Sequence, residues 1–104
     1  MSIVKDMALA PSGRRKISWV RDFMPALSGI EARFEKEQPF AGLRVAVSVH
    51  LEAKTANLGY VLSKGGAEVH LTGSNPLSTQ DDVATGLADL GVETFGIHGA
   101  SAEE

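Results

Sequence analysis

Residues 43–73 read LRVAVSVHLEAKTANLGYVLSKGGAEVHLTG, and the fold class is read from them. Leu43 to Val49 runs apolar more than it alternates, the pattern of a strand covered on both faces, and it is expected at the centre of a sheet. From Leu51 to Lys64, Ala53, Ala56, Leu58, Val61 and Leu62 recur at helical spacing. Gly65-Gly66 then supplies the left-handed residue on which helices end. Ala67 to Thr72 follows as a second strand in which Val69 and Leu71 alternate with Glu68, His70 and Thr72. One wet face is implied, so an edge position is expected, with His70 on the surface. Strands joined through a helix run parallel, with a right-handed crossover.

Working outward, Gly73 to Leu77 is a loop carrying the turn pair Asn75-Pro76. Ser78 is expected to cap the next helix with Asp81 as its partner, and Asp82 complements the helix dipole. Val83, Leu87 and Leu90 face the core, Gly91 stops the helix, and Val92 to Ile97 makes a third strand. On the amino-terminal side, Ile17, Val20, Met24, Leu27, Ile30 and Phe34 form one apolar stripe through Ser12 to Glu37. Pro25 interrupts it, giving two helices or a kink near Phe23; Pro39 and Gly42 close the segment. The fold class is therefore α/β: two amino-terminal helices followed by a βαβαβ flavodoxin-like or Rossmann-like parallel sheet, incomplete in this segment. Residues 1–42 form the helical segment and residues 43–104 a partial α/β domain. Three strands with two bare edges make a thin structure, since so short a chain buries only about 60% of its unfolded surface. Residues beyond Glu104, or another chain, are expected to cover the third strand.

Bulk properties exclude several classes. The 104 residues, with a formal net charge of -3, 43% hydrophobic and 22% charged residues, describe one ordinary globular unit with no basic field for nucleic acid or membrane. Arg14-Arg15-Lys16 is too short a basic run to alter this and reads as a solvated helix start. There are no cysteines, which removes disulfides and thiolate chemistry and fits a reducing compartment; a cytoplasmic location is expected. No apolar run approaches the roughly 18 residues of a membrane span, and no signal peptide is visible.

In open parallel sheets ligands bind outside the carboxyl ends of the strands. His50 stands there, either as a proton-transfer group or as a local cap on the strand. Glu52 and Lys54 follow in the first helical turn; a cation there opposes the helix dipole unless it meets an anion or a carbonyl. Capping accounts for Ser78 and Asp81 and leaves Asn75, Thr79 and Gln80 to face a ligand. His98 ends the third strand and reads as a loop-entry residue. No glycine separates His50 from Gly59, so the dinucleotide fingerprint is missing. A receiver aspartate, a P-loop and a G-x-S-x-G elbow are equally missing, and the 3 histidines lack metal spacing.

The ordered motifs DMALAPSGRR (residues 6–15), Met24-Pro25, Val49-His50-Leu51, Gly66-Ala67-Glu68-Val69 and NPLSTQD (residues 75–81) carry more than their chemistry. Over nearly its whole length the chain resembles the amino-terminal, substrate-binding portion of the adenosylhomocysteinase, or S-adenosylhomocysteine hydrolase, family. The resemblance implies reversible hydrolysis of the thioether to nucleoside and homocysteine in the parent protein. It implies a tightly held NAD that would oxidise the 3′-hydroxyl, with homocysteine leaving by elimination, water adding and the ketone being reduced again. It implies a catalytic proton-transfer role for His50 and substrate contacts from Glu52, Lys54, Thr55, Asn75, Thr79 and Gln80. A homo-oligomer, tetrameric in the family, is implied as well. NAD is expected in the parent protein and not on this segment, whose partners are a small nucleoside substrate and the rest of the parent chain, with no metal.

The common His-Met-Thr-x-Glu-Thr form here reads His50-Leu51-Glu52-Ala53-Lys54-Thr55, similar to archaeal and thermophilic bacterial members. An ammonium donates hydrogen bonds and accepts none. Lys54 therefore either pairs with Glu52 or donates to a purine carbonyl, which would favour hypoxanthine over adenine. The segment alone is expected to be inactive. The alternatives are a stand-alone nucleoside-binding or assembly module without catalysis, and a fragment that dimerises through the bare edge of its third strand.

Overall fold

A computed structural model describes residues 2–75 and 77–100. Its elements are β1 (Ile3–Val4), a single 3-10 turn (Met7–Leu9), α1 (Ala10–Asp22), α2 (Pro25–Glu37), β2 (Arg44–Val49), α3 (Ala53–Lys64), β3 (Glu68–Gly73), α4 (Asp81–Asp89) and β4 (Glu93–Gly96). The α/β architecture holds, but the sheet has four strands, all parallel, in the order β1-β4-β3-β2.

Three expectations are corrected by this order. Ile3 and Val4 pair with Phe95 and Gly96, so the lead of the chain itself covers the third predicted strand. The apolar run at Leu43–Val49 is an edge strand, and the alternating Ala67–Thr72 segment is central, between β2 and β4. The physical reason lies in the helices. Right-handed crossovers that step in one direction put α3 and α4 on the same face, and α1 packs there too. The opposite face stays open, with Ala46, Ser48 and Thr72 exposed on it. His70 is half-buried on that face and stacks its ring on Phe95. Small residues such as Ala46 and Ser48 lengthen an apolar run without demanding burial on both sides.

The core sits between the sheet and α1, α3 and α4, with Ile17, Leu51, Val69, Leu71, Val83, Leu87 and Val92 at its heart. Pro25 starts α2 as its first helical residue, which makes the break near Phe23 a true boundary between two helices. Gly91, at φ +99, ends the turn after α4. The closest helix contact is backbone against backbone: a Cβ on Gly13 would strike the Asp82 carbonyl, and one on Gly86 would strike the Gly13–Arg14 backbone. An ion pair and a hydrogen bond reinforce that seam, with Lys16 Nζ 2.7 Å from Asp82 Oδ2 and the Ser12 hydroxyl donating to the same oxygen at 2.8 Å. Burial by itself would raise the Asp82 carboxyl, but hydrogen bonds from Lys16 and Ser12, the Lys16 charge and the Val83 N–H outweigh it and hold the group below its ordinary value. Among the described residues no helix is long and apolar enough to cross a membrane.

Candidate functional site

The carboxyl ends of β2, β3 and β4 form one rim, and Leu51 anchors it. Leu51 is fully buried and lies against Gly73 and Gly96, where a Cβ on either glycine would meet its side chain. Two glycines at strand ends thus open the space that Leu51 fills. Holding residue 51 down in the core leaves His50, one residue earlier, exposed at the top of β2.

Glu52 is the N-cap of α3. Its carboxylate accepts from Thr55 N at 3.0 Å while Thr55 Oγ1 accepts from Glu52 N at 3.2 Å, a reciprocal capping box. The Thr55 hydroxyl also bonds the carbonyl of His50. Glu52 and Thr55 are therefore tied to the backbone that carries the histidine. Lys54 is exposed and has no ion pair among the described residues; it does not pair with Glu52. Instead Lys54, Thr55 and Leu58 of α3 face Met24, Leu27 and Ile30 across an open, apolar cavity of about 640 Å³. That volume is within the range of small-ligand pockets, about 300–1,000 Å³.

The β3–α4 loop closes the other side. Ser74 N donates to Val49 O at 2.7 Å and Gln80 N to Leu51 O at 3.0 Å, pinning the loop across the end of β2. Asn75 Oδ1 accepts from Leu77 N at 2.9 Å, an Asx turn; Pro76, the other half of the expected turn pair, lies outside the described residues. Thr79 points inward, 4% exposed, with its hydroxyl 3.1 Å from the Asn75 carbonyl. Asn75 and Gln80 are exposed. The helix itself begins at Asp81, with Gln80 as N-cap and no side-chain cap, so the expected capping by Ser78 is corrected. Ser78 Oγ lies 2.7 Å from His50 Nδ1 instead. At the far end of the rim, His98 Nδ1 donates to the Thr79 carbonyl at 2.9 Å and His98 N donates to Asp81 Oδ1 at 2.8 Å. Lys5 Nζ stands 3.9 Å from Asp81 Oδ2.

The arrangement joins an imidazole, a loop of hydrogen-bonding groups and an apolar cavity through one turn of α3. Neither the cavity wall on α2 nor the partner of His50 shows in the residues alone. The S-x-x-D spacing disguises Ser78 as a cap, and the stripe through Ser12 to Glu37 marks an apolar face without showing that its α2 part walls a cavity.

The family model for S-adenosyl-L-homocysteine hydrolase matches residues 1–104. The chain belongs to the S-adenosyl-L-homocysteine hydrolase family. It is 54% identical over 101 residues to an adenosylhomocysteinase of Pyrococcus abyssi, an alignment covering 97% of this chain and 24% of that protein. It is 50% identical, over the same shares, to an S-inosyl-L-homocysteine hydrolase of Methanothermobacter thermautotrophicus, and 49% identical over 104 residues, 25% of the relative, to one of Methanococcus maripaludis. The chain thus spans about a quarter of the length of these S-adenosyl-L-homocysteine hydrolase relatives, matching their amino-terminal region. The family is enzymatic and acts on small molecules.

Proposed function

We propose that this chain is the amino-terminal substrate-binding segment of a hydrolase that cleaves S-adenosylhomocysteine or S-inosylhomocysteine reversibly to nucleoside and homocysteine. The observation that carries this reading is that Lys54 and Thr55 wall the apolar cavity while the Thr55 hydroxyl holds the His50 carbonyl. A purine in that cavity would have Met24, Leu27 and Ile30 against its face and the Lys54 ammonium at its edge. The ribose and thioether would then lie toward His50, which takes the acid/base role, with Asn75 and Gln80 as polar contacts from the loop. Glu52 and Thr55 act through the backbone they hold. Thr79 acts by setting the loop, since its side chain is turned inward.

The residues of this segment do not fit NAD. A pyrophosphate needs a glycine-rich turn and a free helix N-terminus; here the Glu52 carboxylate caps α3, and Asp81 and Asp82 occupy the first turn of α4. NAD, which supplies the redox chemistry of the proposed reaction, is therefore assigned to the parent protein outside these 104 residues. The segment alone would bind without turnover, and assembly with the rest of the parent chain in a homo-oligomer is part of the proposal.

Titrating the chain with adenosine and with inosine, followed by amide and imidazole NMR, tests the reading. Shifts confined to His50, Lys54, Thr55, Leu27 and Ile30 are expected, with inosine favoured because the ammonium donates to its carbonyl. If neither nucleoside moves those signals, the reading fails. If adenosine is preferred and Lys54→Ala leaves that preference untouched, the carbonyl contact fails.

A further inference from the structure

His50 Nδ1 and Ser78 Oγ are 2.7 Å apart, and the direction of that hydrogen bond determines what the other ring nitrogen presents at the rim. The neighbouring acceptors decide it. The Asn75 carbonyl oxygen has three donors at 3.1 Å, namely Ser78 N, Ser78 Oγ and Thr79 Oγ1. A carbonyl oxygen has two lone pairs. Ser78 N and the buried Thr79 hydroxyl have no other acceptor among the described residues, whereas the Ser78 hydroxyl has a second one, His50 Nδ1. The separation of 2.7 Å also fits a hydroxyl donor better than a ring N–H, whose bonds centre near 2.9–3.0 Å.

We infer that Ser78 is a positioning residue for His50: it donates its proton to Nδ1, so that the neutral imidazole carries its own proton on Nε2 and offers a donor to the ligand. When the ring is charged, Nδ1–H becomes the donor and the Ser78 hydroxyl accepts it, its own proton turning away from the ring. One hydroxyl rotor thus exchanges donor for acceptor with the heavy atoms in place. What the Nε2 donor is for rests on the proposed function; the placement of the proton does not.

Long-range proton–nitrogen NMR of the ¹⁵N-labelled chain, recorded with the histidines neutral, reads the tautomer directly. His50 is expected as a single Nε2–H tautomer. In Ser78→Ala its Nδ1 signal shifts toward the protonated position as two tautomers exchange, and Ser78→Thr restores the original spectrum. The ring of His70, on the open sheet face, reports that the variants are folded. A native His50 protonated on Nδ1, or an identical His50 spectrum in folded Ser78→Ala, overturns the assignment. Should Ser78→Ala unfold, the tautomer of the native chain decides alone. If the expected pattern is found but nucleoside leaves the His50 signals unmoved, the proposed function falls and the role of Ser78 stands.

Discussion

Helices α1 and α2 have the same length, 13 residues, and each begins with a proline in its first turn, yet they do opposite things. In α1 the residues Ala10, Gly13, Ile17 and Val20 are buried, and its backbone lies directly on that of α4. In α2 the only buried residue is Glu31, salt-bridged to Arg21 at 2.6 Å, while Ile30 is 40% exposed. The apolar face of α1 is spent on the fold; that of α2 is left as one wall of a cavity. An amphipathic stripe records that a face is apolar and not what covers it.

Gly13→Ala is expected to destabilise the chain by at least about 3 kcal/mol, because the added methyl overlaps the Asp82 carbonyl and neither backbone can retreat without lifting α1 from α4. Urea unfolding would measure it, and a loss below about 1 kcal/mol would mean that α1 does not seat as described. The charged part of the same seam is weaker. Asp82→Asn should lose about 1–2 kcal/mol by removing the charge from the bonds to Lys16 and Ser12. Because the folded Asp82 carboxyl lies below its ordinary value, its contribution is complete above the unfolded value of about 4 and lost as pH falls through the folded one. The gap between native chain and Asp82→Asn should therefore close on acidification, and a gap independent of pH would refute the linkage. On α2, Ile30→Ala should change stability by no more than about 0.5 kcal/mol while weakening nucleoside binding. The reverse pattern would place the apolar face of α2 in the core.

Much of the architecture was legible in the residues. The break at Pro25, the stop at Gly91, the parallel β-α-β-α-β order and the family all follow from local conformational preference or from ordered motifs. The order of strands was not legible. Leu43–Val49 looked central because valines alternate there with alanine and serine, and a small residue on an open face cannot be told from one in a tight interior. A two-residue strand at Ile3–Val4 has no periodicity to detect, so the cover for β4 could not be seen either.

The candidate site divides in the same way. Local residue patterns are enough to place an imidazole at the carboxyl end of a parallel strand, followed at once by a helix, because hydropathy period and turn chemistry act over a few neighbouring residues. It takes the folded chain to lock Leu51 under Gly73 and Gly96, to bring Ser78 to His50 from 28 residues away and to leave α2 open beside Lys54. Those are contacts between segments distant in the chain, and they depend on which way the crossovers turn and how closely two backbones approach.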